Sequence, residues 1–454
     1  MINEKLRKLF GLGLLFSSKL GGLVVALFFV PIYNHYMSNE AFGFVTLFLT
    51  LQSLVLLLDC GVTIILSRHT ALNVCKKNKI SNNQWYNTEV FLTILYLLFG
   101  FVFFIFKWLG VNWLSLISYT DLLMIIVALW ATVLQNICLT VLLAGKYFSL
   151  SSVLLIFGNL LKAGGAALIV KYFSPTIGAY VATQALLGIS LLFVTRFFCD
   201  YFLFFKDVKR KIDFNVIKKI IHEGRALVIF NISAAVLLNL DKIIVSHNIS
   251  LIALAPYFLA SSLCITPISA LSGPVMQFFQ PGLTKAIFND SPNVIKTLRV
   301  YISTLCVSTL LPSYILWVYR DSLIALWLGN TELVNIVADY TKILLPGIAI
   351  GGLGYISYVV LIAIEDFKFQ SFLSLSMTAI VVILVVFFSM RQDIRSICYV
   401  YAFYHSLSTL LTWARCYYLP RTQKYALETA KMLFIIMIAL AVLCVFFNLI
   451  INRI

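Results

Sequence analysis

Apolar runs of about 20 residues, separated by short polar breaks, recur from one end of the chain to the other. An α-helix rises 1.5 Å per residue, so a run of about 20 residues crosses a bilayer core of about 30 Å. The pattern predicts spans over residues 12–33, 43–66, 89–108, 121–143, 149–171, 177–199, 224–245, 252–280, 298–319, 334–363, 370–390, 396–417 and 431–451. The segment 396–417 is the least apolar, since it carries His405, Trp413 and Arg415. The longest hydrophilic break runs from Tyr201 to Glu223, near the middle of the chain, and reads as a linker between two halves.

The halves echo one another. Displacing the sequence by 212 positions aligns Ile32, His35, Ser38, Ala41, Leu47, Leu51 and Gly61 with Ile244, His247, Ser250, Ala253, Leu259, Leu263 and Gly273. The expected organisation is a six-helix lobe with its linker over 1–211, a second six-helix lobe over 212–420, and a basic loop with an extra helix over 421–454. Two repeats meeting at a central cavity is a recurring plan among transporters.

Composition fixes the class. Of 454 residues 61% are hydrophobic and 11% charged, and the mean hydropathy is +0.98, which excludes a soluble domain. The first apolar run continues through Phe28, Phe29, Val30 and Pro31 without a small-residue cleavage site, so no cleavable signal peptide is expected. Basic residues set the orientation. With Lys5, Arg7 and Lys8 in the cytoplasm, Arg68, Lys76, Lys77, Lys79, Lys206, Lys209, Arg210 and Lys211 fall on the same side, as do Lys285, Lys296 and Arg299. Topology therefore accounts for the net charge of +16, and no nucleic-acid partner is expected. The nine cysteines are scattered without a C-x-x-C pair, which points to no metal site or disulfide framework. The histidines form no H-x-x-x-H, and there is no P-loop and no G-x-S-x-G. The chain reads as a non-enzyme that needs no cofactor.

Chemistry is expected where charge lies inside an apolar run. Lys162 sits in the stretch from Ser149 to Val170, roughly 20 Å from its start and near the bilayer midplane. A lysine there costs several kcal/mol unless it lines a wet cavity or finds a partner. The small residues around it, Ala163 to Ala167, leave room for close helix packing or a cavity. Lys19 lies two turns inside the first span and either snorkels or lines the cavity. Arg196, Arg225 and Lys242 are near span ends, where snorkelling is the alternative to a functional role, and Lys342 has Asp339 three residues earlier as a local partner. Among acids, Asp59 and Asp241 are candidates to carry a coupling proton; Arg68 is the alternative partner for Asp59. More buried cations than acids favours an anionic ligand. Pro274 and Pro281, and Pro346 with Gly351, mark helices that are either statically kinked or hinged for gating.

Several short motifs occur in a telling order. Phe42-Gly43 opens the second span, Asp59-Cys60-Gly61 ends it, and Arg68 follows. Asp241-Lys242-Ile243-Ile244 closes the seventh, and Trp327-Leu328-Gly329 lies beyond the ninth. To about residue 420 the chain resembles the polysaccharide flippases of the multidrug/oligosaccharidyl-lipid/polysaccharide exporter superfamily, bacterial O-antigen flippases in particular. The resemblance implies an all-α polytopic membrane protein: two six-helix bundles in a V, twelve core spans, with the segment 431–451 as a departure. It implies alternating access in the bacterial cytoplasmic (inner) membrane, with the N-terminus cytoplasmic. The implied substrate is an undecaprenyl-pyrophosphate-linked oligosaccharide, for which Lys19, Lys162, Arg225, Lys242 and Lys342 are the candidate contacts within the lipid bilayer. A role in lipopolysaccharide biosynthesis and polysaccharide export follows, with a polysaccharide polymerase and a chain-length regulator as expected partners. A multidrug or small-solute exporter of the same superfamily is the alternative. A membrane enzyme such as an O-antigen polymerase would need a sizeable outer loop, and the outer loops here are short.

Overall fold

A computed structural model of the chain describes residues 28–57, 82–110, 117–145, 147–203, 239–329 and 332–451, with isolated positions at 63, 66, 70, 212–215, 217 and 218. Lys19, Asp59, Arg68 and Arg225 lie outside the described residues. The described chain is helical: α1 (28–36), α2 (Asn39–Leu57), α3 (Asn82–Trp108), α4 (Tyr119–Ala144), α5 (Phe148–Tyr172), α6 (Ile177–Leu203) and α7 (239–248). There follow α8 (Leu251–Phe288), α9 (Val294–Leu328), α10 (Leu333–Leu353), α11 (Tyr355–Ala363), α12 (Phe367–Met390), α13 (Ile394–Tyr418) and α14 (Gln423–Ile451). Among the described residues, nine helical stretches are long and apolar enough to cross a membrane, which makes this an all-α, multi-pass membrane protein.

The helices form two compact units, Met1–Phe258 with Val385–Gln392, and Leu259–Leu384 with Asp393–Ile454. In the first unit α4 is the central element. It starts at a capping box in which Ser118 and Asp121 satisfy each other's backbone amides, and it packs against α2, α3, α5 and α6. Its buried positions include Ala128, Ala131, Thr132, Gln135, Cys138 and Leu142, the three-and-four spacing of a helix face. Lipid tails supply no hydrophobic drive between spans, so close packing and weak interhelical bonds of about 0.6 kcal/mol each hold the bundle. Examples are Ser151 Oγ to the Leu139 carbonyl at 2.8 Å and Tyr33 OH to the Ala163 carbonyl at 2.7 Å.

In the second unit α9, α10, α13 and α14 pack around Tyr301, Leu305, Val359 and Tyr425. Glycines set the approach of α10 to α13. A Cβ on Gly347 would lie 2.4 Å from the Ala402 backbone, and one on Gly351 would lie 2.8 Å from the His405 ring. Gly351 is thus a point of close helix contact, which explains a glycine there on packing grounds.

Several predicted boundaries move. The span 334–363 is two helices, broken at Gly354. The span 298–319 ends at a kink at Tyr319 (φ −105°, ψ 16°), after which α9 continues to Leu328 and stops at Gly329 in a left-handed conformation (φ 72°). The helix α8 runs unbroken through Pro256, Pro267, Pro274 and Pro281. At 38 residues it is about 57 Å long, beyond what a bilayer core accommodates upright. The predicted loop after residue 421 is helical from Gln423, because Tyr425 and Ala426 are buried in the core of the second unit.

The repeat seen in the sequence has a local counterpart. At the junction of α1 and α2, Met37 N–H donates to Tyr33 and Phe42 N–H to Ser38. At the junction of α7 and α8, Ile249 N–H donates to Val245 and Leu254 N–H to Ser250, the same pair of bonds 212 positions on.

Candidate functional site

Lys162 is buried on α5, 8% exposed. Its Nζ donates to Gln135 Oε1 of α4 at 3.3 Å, and Gln184 of α6 donates its Nε2 to the Lys162 carbonyl at 3.3 Å. Both amides come from helices that pack on α5, so three helices meet at Lys162, Gln135 on its ammonium and Gln184 on its backbone carbonyl. No carboxylate pairs with Lys162 among the described residues. Small residues permit the convergence. A Cβ on Gly158 would approach Gln135 Nε2 to 3.1 Å, and one on Gly165 would meet Leu187 at 2.6 Å. Beside this cluster Tyr33 and Phe48 pack edge-on against Tyr180, at 5.3 and 5.7 Å between ring centroids. Among the described residues, the positive charge is held by the neutral Gln135 amide and not cancelled by an acid.

Asp241 and Lys242 behave differently. Lys242 Nζ lies 3.3 Å from both Asp241 carboxylate oxygens, and Tyr257 OH donates to Asp241 Oδ2 at 2.5 Å. The side chains are 1% and 9% exposed respectively. Lys242 therefore does not snorkel; it turns back and neutralises its neighbour. Such a pair is costly to break from one side only, since that leaves a buried unpaired charge.

The other sequence candidates are spread out. Lys342 is exposed on α10. Its expected partner Asp339 binds Arg395 of α13 instead, at 2.7 Å, because the longer guanidinium reaches across from the facing helix. Arg196 makes a bidentate pair with Glu89 (Nε–Oε1 2.7 Å) and a second pair with Asp200 at 2.6 Å. Pro274 is buried in α8, and Pro346 is exposed on α10. Gln135 and Gln184 carry no charge, so a search for charges inside apolar runs does not find them. Both are uncharged amides inside apolar runs, and that alone marks them as groups needing a partner.

No protein-family model matches the chain, and no curated protein matches it. Solved structures do share its fold. The lipid II flippase MurJ, in an inward closed conformation, matches with a TM-score of 0.69 at 15% identity over 94% of this chain and 92% of that one. An inward-facing multidrug resistance MATE family transporter of the MOP superfamily matches with a TM-score of 0.65 at 14% identity, over 90% and 96%. A MOP superfamily transporter from Pyrococcus furiosus, described as having a binding pocket of reverse polarity, matches with a TM-score of 0.62 at 12% identity, over 89% and 94%. At these identities the likeness is one of fold.

Proposed function

We propose that this protein flips a polyprenyl-pyrophosphate-linked oligosaccharide, an O-antigen unit or a related one, across the bacterial cytoplasmic membrane by alternating access. The observation that carries the reading is Lys162, a buried cation that among the described residues is held by the neutral Gln135 amide, in a fold shared with a lipid II flippase. A pyrophosphate oxygen forms a stronger, charge-assisted bond than the Gln135 carbonyl does at 3.3 Å, and so displaces it. The prenyl tail stays in lipid while the head crosses. The two lobes joined near residues 201–223, with a cytoplasmic N-terminus, are part of the same proposal and rest on the distribution of lysine and arginine.

The test is deletion of the gene followed by analysis of lipid-linked sugars, with complementation by Lys162→Ala and Lys162→Arg. Deletion should leave the prenyl-linked unit accumulated on the inner leaflet. Lys162→Ala should lower export about tenfold or more, the worth of one hydrogen bond to a charged group, while Lys162→Arg retains much of it. Unchanged surface polysaccharide in Lys162→Ala would make that residue structural.

Likeness to multidrug transporters favours a second reading, export of small solutes. Raised drug sensitivity on deletion, with normal lipid-linked sugars, would select it.

A further inference from the structure

Lys162 is not the only donor in its cluster. Gln135 is buried on α4, 4% exposed, and its carboxamide carries both an acceptor oxygen and an NH2 with two donors. An ammonium only donates, so the bond from Lys162 Nζ at 3.3 Å fixes which end of the amide is which. Oε1 is the end on Lys162. Nε2 lies over Gly158, one helical turn before Lys162 on α5, where an added methyl group would stand 3.1 Å from it. Nε2 meets no acceptor among the described residues.

The polar groups on either side of Gln135 along α4 are satisfied. Thr132, one turn earlier, donates to the Ala128 carbonyl at 2.8 Å and accepts from Gln52 of α2 at 3.1 Å. The Leu139 carbonyl, one turn later, accepts from Ser151 of α5 at 2.8 Å. A buried amide N–H without an acceptor is costly, so this one marks a place for a group that supplies it. That group also comes within reach of the Lys162 ammonium, which sits on a flexible four-carbon stem. An anion with several oxygens suits both donors at once. The bond between Lys162 and Gln135 is long for a charge-assisted one, which usually measures about 2.7–2.9 Å, so the ammonium leaves it at little cost. Gly158, having no side chain, keeps the Nε2 end of the amide uncovered.

We propose that Gln135 is a second contact for the head group. Its Nε2 donates to one oxygen of a phosphoryl group, while Lys162 Nζ leaves Oε1 and donates to another. The inference rests on the flippase reading above and adds that a neutral carboxamide, besides the charge, selects the phosphate.

Farnesyl pyrophosphate is the probe, titrated calorimetrically into the purified full-length protein in detergent. Gln135→Met keeps the side-chain length and removes the donor; it should weaken binding about tenfold, the worth of one hydrogen bond to a charged group. Gly158→Ala keeps Gln135 but covers its Nε2, and should weaken binding by a similar factor. The two changes together should cost no more than one of them, because the methyl then covers a donor already removed. Losses that multiply would mean that each change acts through packing, and would overturn the inference. Wild-type affinity in either single variant would overturn it as well. Should Gln135→Met fail to fold, Gly158→Ala by itself decides, since alanine favours the helix. Lys162→Ala separates the inference from the reading beneath it. Wild-type affinity in that variant would sink both. Affinity lost in Lys162→Ala but kept in Gln135→Met and Gly158→Ala would sink the inference alone.

Discussion

Ser38 and Ser250, 212 positions apart, cap two helices in the same way. The Ser38 hydroxyl accepts from the Ala41 amide at 3.3 Å, and the Ser250 hydroxyl accepts from the Ala253 amide at 3.0 Å. In each case the serine follows one helix and its side chain satisfies an otherwise orphaned donor of the next. Ser38→Ala and Ser250→Ala should each lower stability by about 1 kcal/mol, and by similar amounts. Thermal unfolding of the two variants in detergent measures this; a loss confined to one of them would mean the junctions are not equivalent.

Gly43 lies where these junctions meet. A Cβ there would fall 2.2 Å from the Leu251 carbonyl oxygen, a backbone atom that cannot swing aside. Gly43→Ala should therefore cost about 1–3 kcal/mol through overpacking, although alanine is the better helix former. An increase in the melting temperature of Gly43→Ala would show that the Leu251 carbonyl leaves room for a methyl group at Gly43.

The buried pair of Asp241 and Lys242 separates structure from ion coupling. Asp241→Asn leaves the Lys242 charge without its carboxylate and should destabilise by about 3–5 kcal/mol. Combining it with Lys242→Met should recover most of that loss, as removing both charges of a buried pair usually does. Transport assayed in the double variant then decides the role. Full activity would identify the pair as structural, and a folded but inactive protein would keep Asp241 as a coupling residue.

Acid should loosen the second unit at a defined place. Asp393 caps α13, accepting from the Ser396 hydroxyl at 2.5 Å and its amide at 3.0 Å, and these bonds hold its carboxyl below the ordinary value of 3.8. The folded chain therefore binds this proton more weakly than the unfolded chain. The cap contributes fully above the ordinary value and is lost as pH falls through it toward the depressed one. At neutral pH Asp393→Ala should cost about 1 kcal/mol, the usual worth of an N-cap, and the difference from wild type should narrow as pH falls below 3.8 toward the depressed value. Melting curves at neutral and acid pH give both quantities; a gap that stays constant with pH would rule out the carboxylate as the cap.

The sequence by itself determined the class and most of the spans, and it pointed to a repeat whose counterpart among the described residues is the matching pair of junctions at Ser38 and Ser250. Each rests on features local to the chain: run length against bilayer thickness, and identities such as Ser38 and Ser250 that reappear as matching caps. It also marked Lys162 as a charge out of place, because depth along a helix can be counted from residue numbers alone. Only the tertiary structure decided what each charge meets. Lys162 and Lys242 look alike in the sequence, yet one rests on the Gln135 amide and the other on the Asp241 carboxylate. Asp339 passes over Lys342 on its own helix for Arg395 on another, and Glu89 finds Arg196 from 107 residues away. Partners of this kind come from helices brought side by side by packing. Their identity depends on rotation and approach, which small residues such as Gly158 and Gly347 set through contacts distant in sequence.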